Sequence, residues 1–351
     1  MKLILRWYKN NHKVPLEYIK QIPGIYGVCS SLDDLPIGEP WPEEAINALK
    51  EKINNAGLQF TVVESVPVHE SIKAGLPNRD YYIENYRITL RNLTLAGVEV
   101  ACFNFMPLYD WFRTDLDYLL ADGSKTMAYD AEKAEEIDPS KGVVPLPGWA
   151  KHYRDMLPAE LLDTYSEIDA DSYRGNLRYF LEGLVDVLAE TGIKLALHPD
   201  DPPWPIFSLP RIAGRKTDLE RYLDLVESPQ LGLAFCTGSL GAEPSNDLPA
   251  MVQAYGNRGK IFFAHIRNIK HTGHHSFVEV AHADPEGSFD IPLIIKELYD
   301  TGYSGYIRPD HGRTIWGEDC EPGYGLYDRA LGAAYISGIW TALHQAGKTV
   351  C

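Results

Sequence analysis

The chain has 351 residues, 45% of them hydrophobic, and its 49 acidic against 33 basic side chains give a formal charge of −16. That balance excludes nucleic acid and anionic membrane as partners, because both select a basic face. No apolar run approaches the ~20 residues needed to cross a bilayer. The N-terminus lacks the apolar core and cleavage site of a signal peptide, so a cytoplasmic protein is expected. The five cysteines are far apart and form no CxxC pair, which predicts reduced thiols rather than a disulfide framework or zinc ribbon.

In chain order, Leu3 to Tyr8 reads as the first strand and Pro23 to Cys29 as the second, with a short helical turn over Leu16 to Gln21 between them. A helix opens at Pro42, where Glu43 and Glu44 favour the positive end of the dipole, and Gly57 closes it. Its apolar residues Ala45, Ile46, Leu49 and Ile53 form one stripe. Leu58 to Val63 is the third strand, Arg79 to Ala96 a helix, and Val98 to Phe105 the fourth strand. Strand and helix alternate, which favours a parallel sheet.

The rhythm breaks between Leu108 and Ala170. This stretch carries an acidic patch from Asp130 and a proline-rich run from Val144 to Trp149, and its aromatics Tyr109, Trp111, Phe112 and Trp149 argue for order. Segments this long without regular structure are usually functional or disordered. Residues 108–170 are therefore expected to be an insertion over the barrel mouth, helical in places. A helix capped by Asp171 or Ser172 follows, with Leu177, Phe180, Leu181, Leu184, Val185 and Leu188 on one face and Gly192 at its end. Further helices are expected near 219–226, 246–255, 291–299 and 327–344.

The last four strands share one layout. Ile193 to Leu197 ends at His198, Leu231 to Phe235 at Cys236, Ile261 to Ala264 at His265, and Ser304 to Pro309 at Asp310 and His311. A (β/α)8 barrel of ~250 residues repeats every ~31 positions and gathers its strand tips at the catalytic face. The spacing fits an α/β (β/α)8 TIM barrel forming one domain over 1–351. Each tip residue alone has a bland reading, a loop histidine or a small buried hydrophobe. Four in succession predict a metal site of His198, Cys236, His265 and Asp310. Imidazole, thiolate and carboxylate together admit Zn, Fe, Co or Mn, whereas Mg or Ca would not choose a thiolate. The histidines at 271, 274, 275 and 282 fall in one segment, read as a mobile loop able to close over substrate.

The motifs His198-Pro-Asp-Asp-Pro-Pro, Phe235-Cys-Thr-Gly-Ser239, His265-Ile-Arg-Asn268, Phe277 to His282 and Arg308-Pro-Asp-His-Gly-Arg313 closely resemble those of the D-mannonate dehydratases. The likeness extends through Phe103-Asn-Phe-Met106 and Asp110-Trp-Phe-Arg-Thr-Asp115, essentially end to end. It implies a xylose-isomerase-like barrel that converts D-mannonate to 2-dehydro-3-deoxy-D-gluconate in hexuronate breakdown with a divalent ion, typically Mn2+, with Fe2+ or Co2+ as substitutes. It places the metal on His198, Cys236, His265 and Asp310, and proton transfer on His311 and on Tyr324, with Tyr327 as the other candidate.

Loss of a C2 proton beside a carboxylate builds negative charge, which suits a Lewis acid, a neutral-pH base and a proton donor. The anionic substrate also calls for local positive charge from Arg267, Arg308 or Arg313, and for hydroxyl readers such as Asn104, Asn268, Asp200 and Ser239. For the arginines the plainer reading is a structural ion pair. A homo-oligomer, dimer or tetramer, is expected. Two other readings stand beside the dehydratase: a metal-dependent sugar isomerase or epimerase on the same barrel, and a non-catalytic sugar-acid binding protein.

Overall fold

The computed structural model describes residues 1–9, 13–139 and 161–349. Its strands run β1 (Lys2–Arg6), β2 (Ile25–Ser30), β3 (Gln59–Val63), β4 (Val100–Phe103), β5 (Asp115–Leu119), β6 (Lys125–Tyr129), β7 (Lys194–Leu197), β8 (Leu231–Cys236), β9 (Ile261–Ile266), β10 (Asn268–Gly273), β11 (Ser276–Val280) and β12 (Tyr306–Pro309). Eight of these close a parallel barrel in the order β1-β12-β9-β8-β7-β4-β3-β2, and helices pack outside it. This is the (β/α)8 architecture read from the sequence.

Along the barrel strands successive side chains point to opposite faces, and in the doubly buried sheet both faces are covered. Ile4, Val62, Cys102, Ala196, Ala234 and Phe263 belong to a core cluster inside the barrel. Their neighbours Leu5, Val63, Phe103, Leu197 and Phe235 belong to the larger cluster under the helices. Two residues further on, the inward positions become Arg6, Glu64, Asn104, His198, Cys236 and His265. The interior thus switches from apolar to polar where the strands end, and that period of two fixes which side chains face the mouth.

Three local expectations change. The helix expected from Asp171 starts earlier: Asp169 caps Ala170–Glu182 by accepting from the Ser172 N–H. It also breaks at Gly183 before resuming as Val185–Thr191. A Cβ at Gly183 would lie 2.9 Å from Ile83 Cγ2, and Arg87 Nη1 donates to the Gly183 carbonyl at 2.6 Å. Close helix approach and a side-chain donor thus interrupt a continuous apolar stripe.

The described part of 108–170 is mainly a β-hairpin, β5 with β6, plus the short helices Ala131–Glu135 and Leu161–Ser166. Val144 to Trp149 lies outside the described residues. The segment read as a mobile loop after β9 is a second hairpin, β10 with β11, and the two hairpins join into one sheet in the order β10-β11-β6-β5. Alternating Phe277, Glu279 against Val278, Val280 supplied the strand signal that a count of histidines hid. His275 stacks on Trp204, ring centroids 4.4 Å apart.

Candidate active site

At the C-terminal mouth of the barrel, the donor atoms of His198, Cys236 and His265 all lie within 4.8 Å of one another. His198 Nδ1 stands 2.7 Å from the Pro199 carbonyl. A carbonyl only accepts, so Nδ1 carries the proton and Nε2 keeps its lone pair free for an ion. His265 is fully buried, and among the described residues its Nε2 has no hydrogen-bond partner, the Glu64 carboxylate standing 3.6 Å away. A ring nitrogen left without a partner in the interior is costly unless something binds it. Burial pushes both imidazoles below their ordinary range, so they are neutral and able to ligate. Burial, with Asp310 adding to it, pushes the Cys236 thiol up to about 12. A bound cation would be needed to draw off that proton.

Asp310 stands against this trio without joining it. Cys236 Sγ donates to its Oδ2 at 3.3 Å, and His265 Nδ1 is 4.0 Å from its Oδ1. That Oδ1 is taken by Arg308 Nη2 at 2.6 Å. Burial would raise the Asp310 carboxyl, but Arg308 and then His311 and Arg267 hold it well below the carboxylate range. A buried carboxylate needs a cationic partner, and the Arg308 guanidinium supplies it.

Beside the trio stands a second pair. His311 Nε2 lies 3.3 Å from the Tyr324 hydroxyl, and Tyr324 is wedged edge-on between Tyr8 and His311. Tyr324 is 6% exposed, whereas Tyr327 is 44% exposed and pairs with Trp316 on the surface. Burial, the leading cause, leaves the Tyr324 hydroxyl at about 12 despite the nearby Arg308. It therefore holds its proton at neutral pH. Both residues open into a cavity of about 910 Å3, whose lining includes Glu64, Asn104, Trp111, His198, Arg308 and Asp310.

Underneath runs a buried ionic lattice. Arg113 makes a two-pronged pair with Asp201 at 2.6 and 3.1 Å and reaches Glu279 at 2.8 Å. Arg267 bridges the same two carboxylates at 2.8 and 2.7 Å. Glu279 in turn meets His311 Nδ1 at 2.9 Å. The barrel tips and the mouth sheet are thereby locked together through charge, in a place where one missing partner would strand another.

The sequence matches the family described as UxuA, D-mannonate dehydratase, over residues 1–350. The chain belongs to the D-mannonate dehydratase family. It is 52% identical over 362 aligned positions to a mannonate dehydratase of Thermotoga petrophila, covering 100% of both chains. Its fold is similar to the crystal structure of mannonate dehydratase from Streptococcus suis serotype 2, with TM-score 0.91, 42% identity, and 99% of this chain and 96% of that one covered. A xylose isomerase domain protein of Planctomyces limnophilus is similar at TM-score 0.55 and 14% identity, with 98% of each chain covered, and shares the fold alone. In this dehydratase family member, the donor set of two imidazoles and a thiol, with one nitrogen stranded, fits a divalent first-row ion.

The remaining sequence candidates scatter. Asn104 and Arg308 line the cavity. Asp200 does not: it accepts from the Ala213 N–H at 2.6 Å, and burial raises its carboxyl to about 6. Asn268 bonds its neighbours at Ile269 and Phe289. Arg313 is given to Asp328 and Asp122, the structural ion pair of the plainer reading. Ser239 donates to Asp201 and Cys236, and Arg267 lies in the lattice. These five side chains are turned to protein partners, not to the cavity. Glu64, Arg6 and Tyr8 went unread, although Arg6 and Glu64 sit two positions beyond an inward apolar residue and Tyr8 two beyond Arg6. Arg113, Asp201 and Glu279 gave no comparable signal, because only tertiary folding pairs them.

Proposed function

We propose that this protein dehydrates D-mannonate to 2-dehydro-3-deoxy-D-gluconate with the residues gathered at the barrel mouth. The observation that carries the residue roles is that the His311–Tyr324 pair opens into one cavity with His198, the member of the His198, Cys236 and His265 trio that lines it. A divalent cation held by that trio, with Asp310 completing its surroundings, would supply Lewis-acid stabilisation of the negative charge that builds on the substrate. Manganese is the ion we favour, and iron or cobalt suits the same donors.

The protein's own groups then divide the proton work. His311 Nε2 takes the C2 proton, the C2–H electrons form the C2=C3 bond, and the C3–O bond breaks. Tyr324, protonated at neutral pH, gives its proton to the departing hydroxyl, which leaves as water. Their 3.3 Å separation lets the proton taken by His311 pass to Tyr324 and restore both groups. The enol so formed becomes the 2-keto acid without further catalysis. Arg308 on the cavity wall supplies positive charge toward an anionic substrate. Trp111 and Tyr8 add aromatic surface to the cavity lining.

We place this chemistry in cytoplasmic hexuronate breakdown. Buried unpaired Cys29, Cys102 and Cys236 suit a reducing compartment, and among the described residues no helix is long and apolar enough to cross a membrane. The test is an assay of metal-loaded protein on a panel of aldonates. Formation of a 2-keto-3-deoxy acid from D-mannonate supports the reading. A product of unchanged mass would instead make it an isomerase or epimerase, and binding without turnover a sugar-acid binding protein.

A further inference from the structure

Glu279 takes no part in these proton transfers, yet its two oxygens are used very unequally. Oε1 accepts from Arg113 Nε at 3.0 Å, from Arg113 Nη2 at 2.8 Å and from Arg267 Nη1 at 2.7 Å. Oε2 is met, among the described residues, by His311 Nδ1 alone, at 2.9 Å, a nitrogen that also lies 3.1 Å from the already crowded Oε1. Glu279 is 3% exposed, so bulk solvent does not reach that oxygen. A buried carboxylate oxygen left without a donor costs more than an ordinary lost hydrogen bond.

His311 Nδ1 has a second neighbour, Arg267 Nη1 at 2.6 Å. The two neighbours make opposite demands. If Nδ1 lacks a proton, Arg267 can donate to it, but Glu279 Oε2 then faces a lone pair. If Nδ1 carries the proton, Oε2 is satisfied and Arg267 still has Glu279 Oε1 and Asp201 as acceptors. Only the second arrangement leaves Oε2, Nδ1 and Nη1 all with a partner.

We infer that Glu279 is a positioning residue that fixes the His311 tautomer, holding the proton on Nδ1 so that Nε2 faces Tyr324 and the cavity as a base. The inference rests on the assignment of His311 as the base. It goes beyond that assignment by tying the catalytic end of the barrel to the mouth sheet: Glu279 lies on β11, which pairs with β6 through Phe277 and Val278. A strand read from the sequence as part of a loop therefore sets the state of a residue 32 positions later in the chain. The logic is that of the aspartate behind the histidine in serine proteases, reached from an unrelated fold.

Glu279→Gln is the informative substitution, because the arginines dictate how the amide must sit. Three N–H donors converge on the Oε1 place, so the amide oxygen stays there and the NH2 takes the Oε2 place, facing Nδ1. It can only donate, which forces the proton of His311 onto Nε2. Nitrogen-15 NMR of histidine-labelled, zinc-loaded protein reads the tautomer directly, with the His311 signals assigned by their absence in His311→Asn. In the natural protein the account predicts a protonated Nδ1 and an unprotonated Nε2. In Glu279→Gln it predicts the reverse, with kcat lower by roughly 10²- to 10⁴-fold, KM little changed, and metal content retained. A natural protein protonated on Nε2 would overturn the inference, as would a Glu279→Gln enzyme with kcat within threefold of normal. Should that variant fail to fold, the spectrum of the natural protein still decides. Activity retained in His311→Asn would remove the base assignment itself. An inactive His311→Asn alongside an unchanged tautomer in Glu279→Gln would remove only the positioning role of Glu279.

Discussion

Cys236 contributes the soft donor at the mouth, and its substitution should be felt first in metal retention. Serine keeps the shape but offers a hydroxyl, which is far less acidic than a thiol and a poorer ligand for first-row ions. Cys236→Ser is expected to lower affinity for Mn2+ by at least the roughly 10- to 100-fold seen when even supporting groups around metals are lost. Metal content after dialysis measures it. His311→Asn and Tyr324→Phe should behave differently, keeping the ion while kcat falls on the order of 10²- to 10⁴-fold. Tyr327→Phe, out on the surface beside Trp316, should leave kcat unchanged. The strand-tip residues were legible because a barrel converts sequence position into spatial position. His311 and Tyr324 were named from family likeness, and which tyrosine points inward depends on the turn at Gly323, whose φ of +79° no periodicity reveals. Asp200 and Asn268 misled for the opposite reason: polar residues beside a ligand motif also serve the backbone of the loops that carry it.

At the scale of elements, the site depends on how closely β8 and β9 approach at their ends. Gly238 opens the turn after β8, and a Cβ there would lie 1.9 Å from Arg267 Nε. That guanidinium is fixed by Asp201 and Glu279 and has nowhere to move. Gly238→Ala is therefore expected to destabilise the fold by about 1–3 kcal/mol, the usual cost of overpacking, and to lower kcat by displacing the group under His311. Denaturant midpoints and steady-state kinetics on the same preparation check both. The eight barrel strands were readable from apolar runs of four to six residues separated by helices. The two mouth hairpins were not. Asp115–Leu119 is polar and half exposed, and His271 in Asn268–Gly273, with His274 and His275 in the turn after it, obscures the alternation that continues in Ser276–Val280. Their pairing joins segments about 150 positions apart, a contact that local pattern does not encode.

For the whole molecule, the buried lattice predicts how stability responds to acid. Burial alone would raise the Glu279 carboxyl, yet Arg267, His311 and Arg113 outweigh it and hold it at about 2. Asp201 shows the same balance and is held well below the carboxylate range by Arg113 and Arg267. A carboxyl depressed on folding stabilises the native state above its unfolded value, 4.5 for Glu279. That contribution is lost as pH falls from there toward about 2. Glu279 alone should contribute about 3 kcal/mol across that window. Denaturant unfolding followed from pH 7 down to pH 3 should show a steep decline, and Glu279→Gln should flatten it while being less stable at pH 7. A pH-independent midpoint in the natural protein would contradict the lattice as the element that joins barrel to mouth.

The proposal that an imidazole, a thiolate and a second imidazole from successive strands bind one cation, with Asp310 alongside, is tested most directly by diffraction from crystals of the manganese-loaded protein at the manganese absorption edge. The account predicts a single anomalous peak within bonding distance of His198, Cys236 and His265, adjacent to Asp310 and opening onto the His311–Tyr324 pair. A manganese peak elsewhere, or one bound only by carboxylates with Cys236 Sγ turned away, would contradict it.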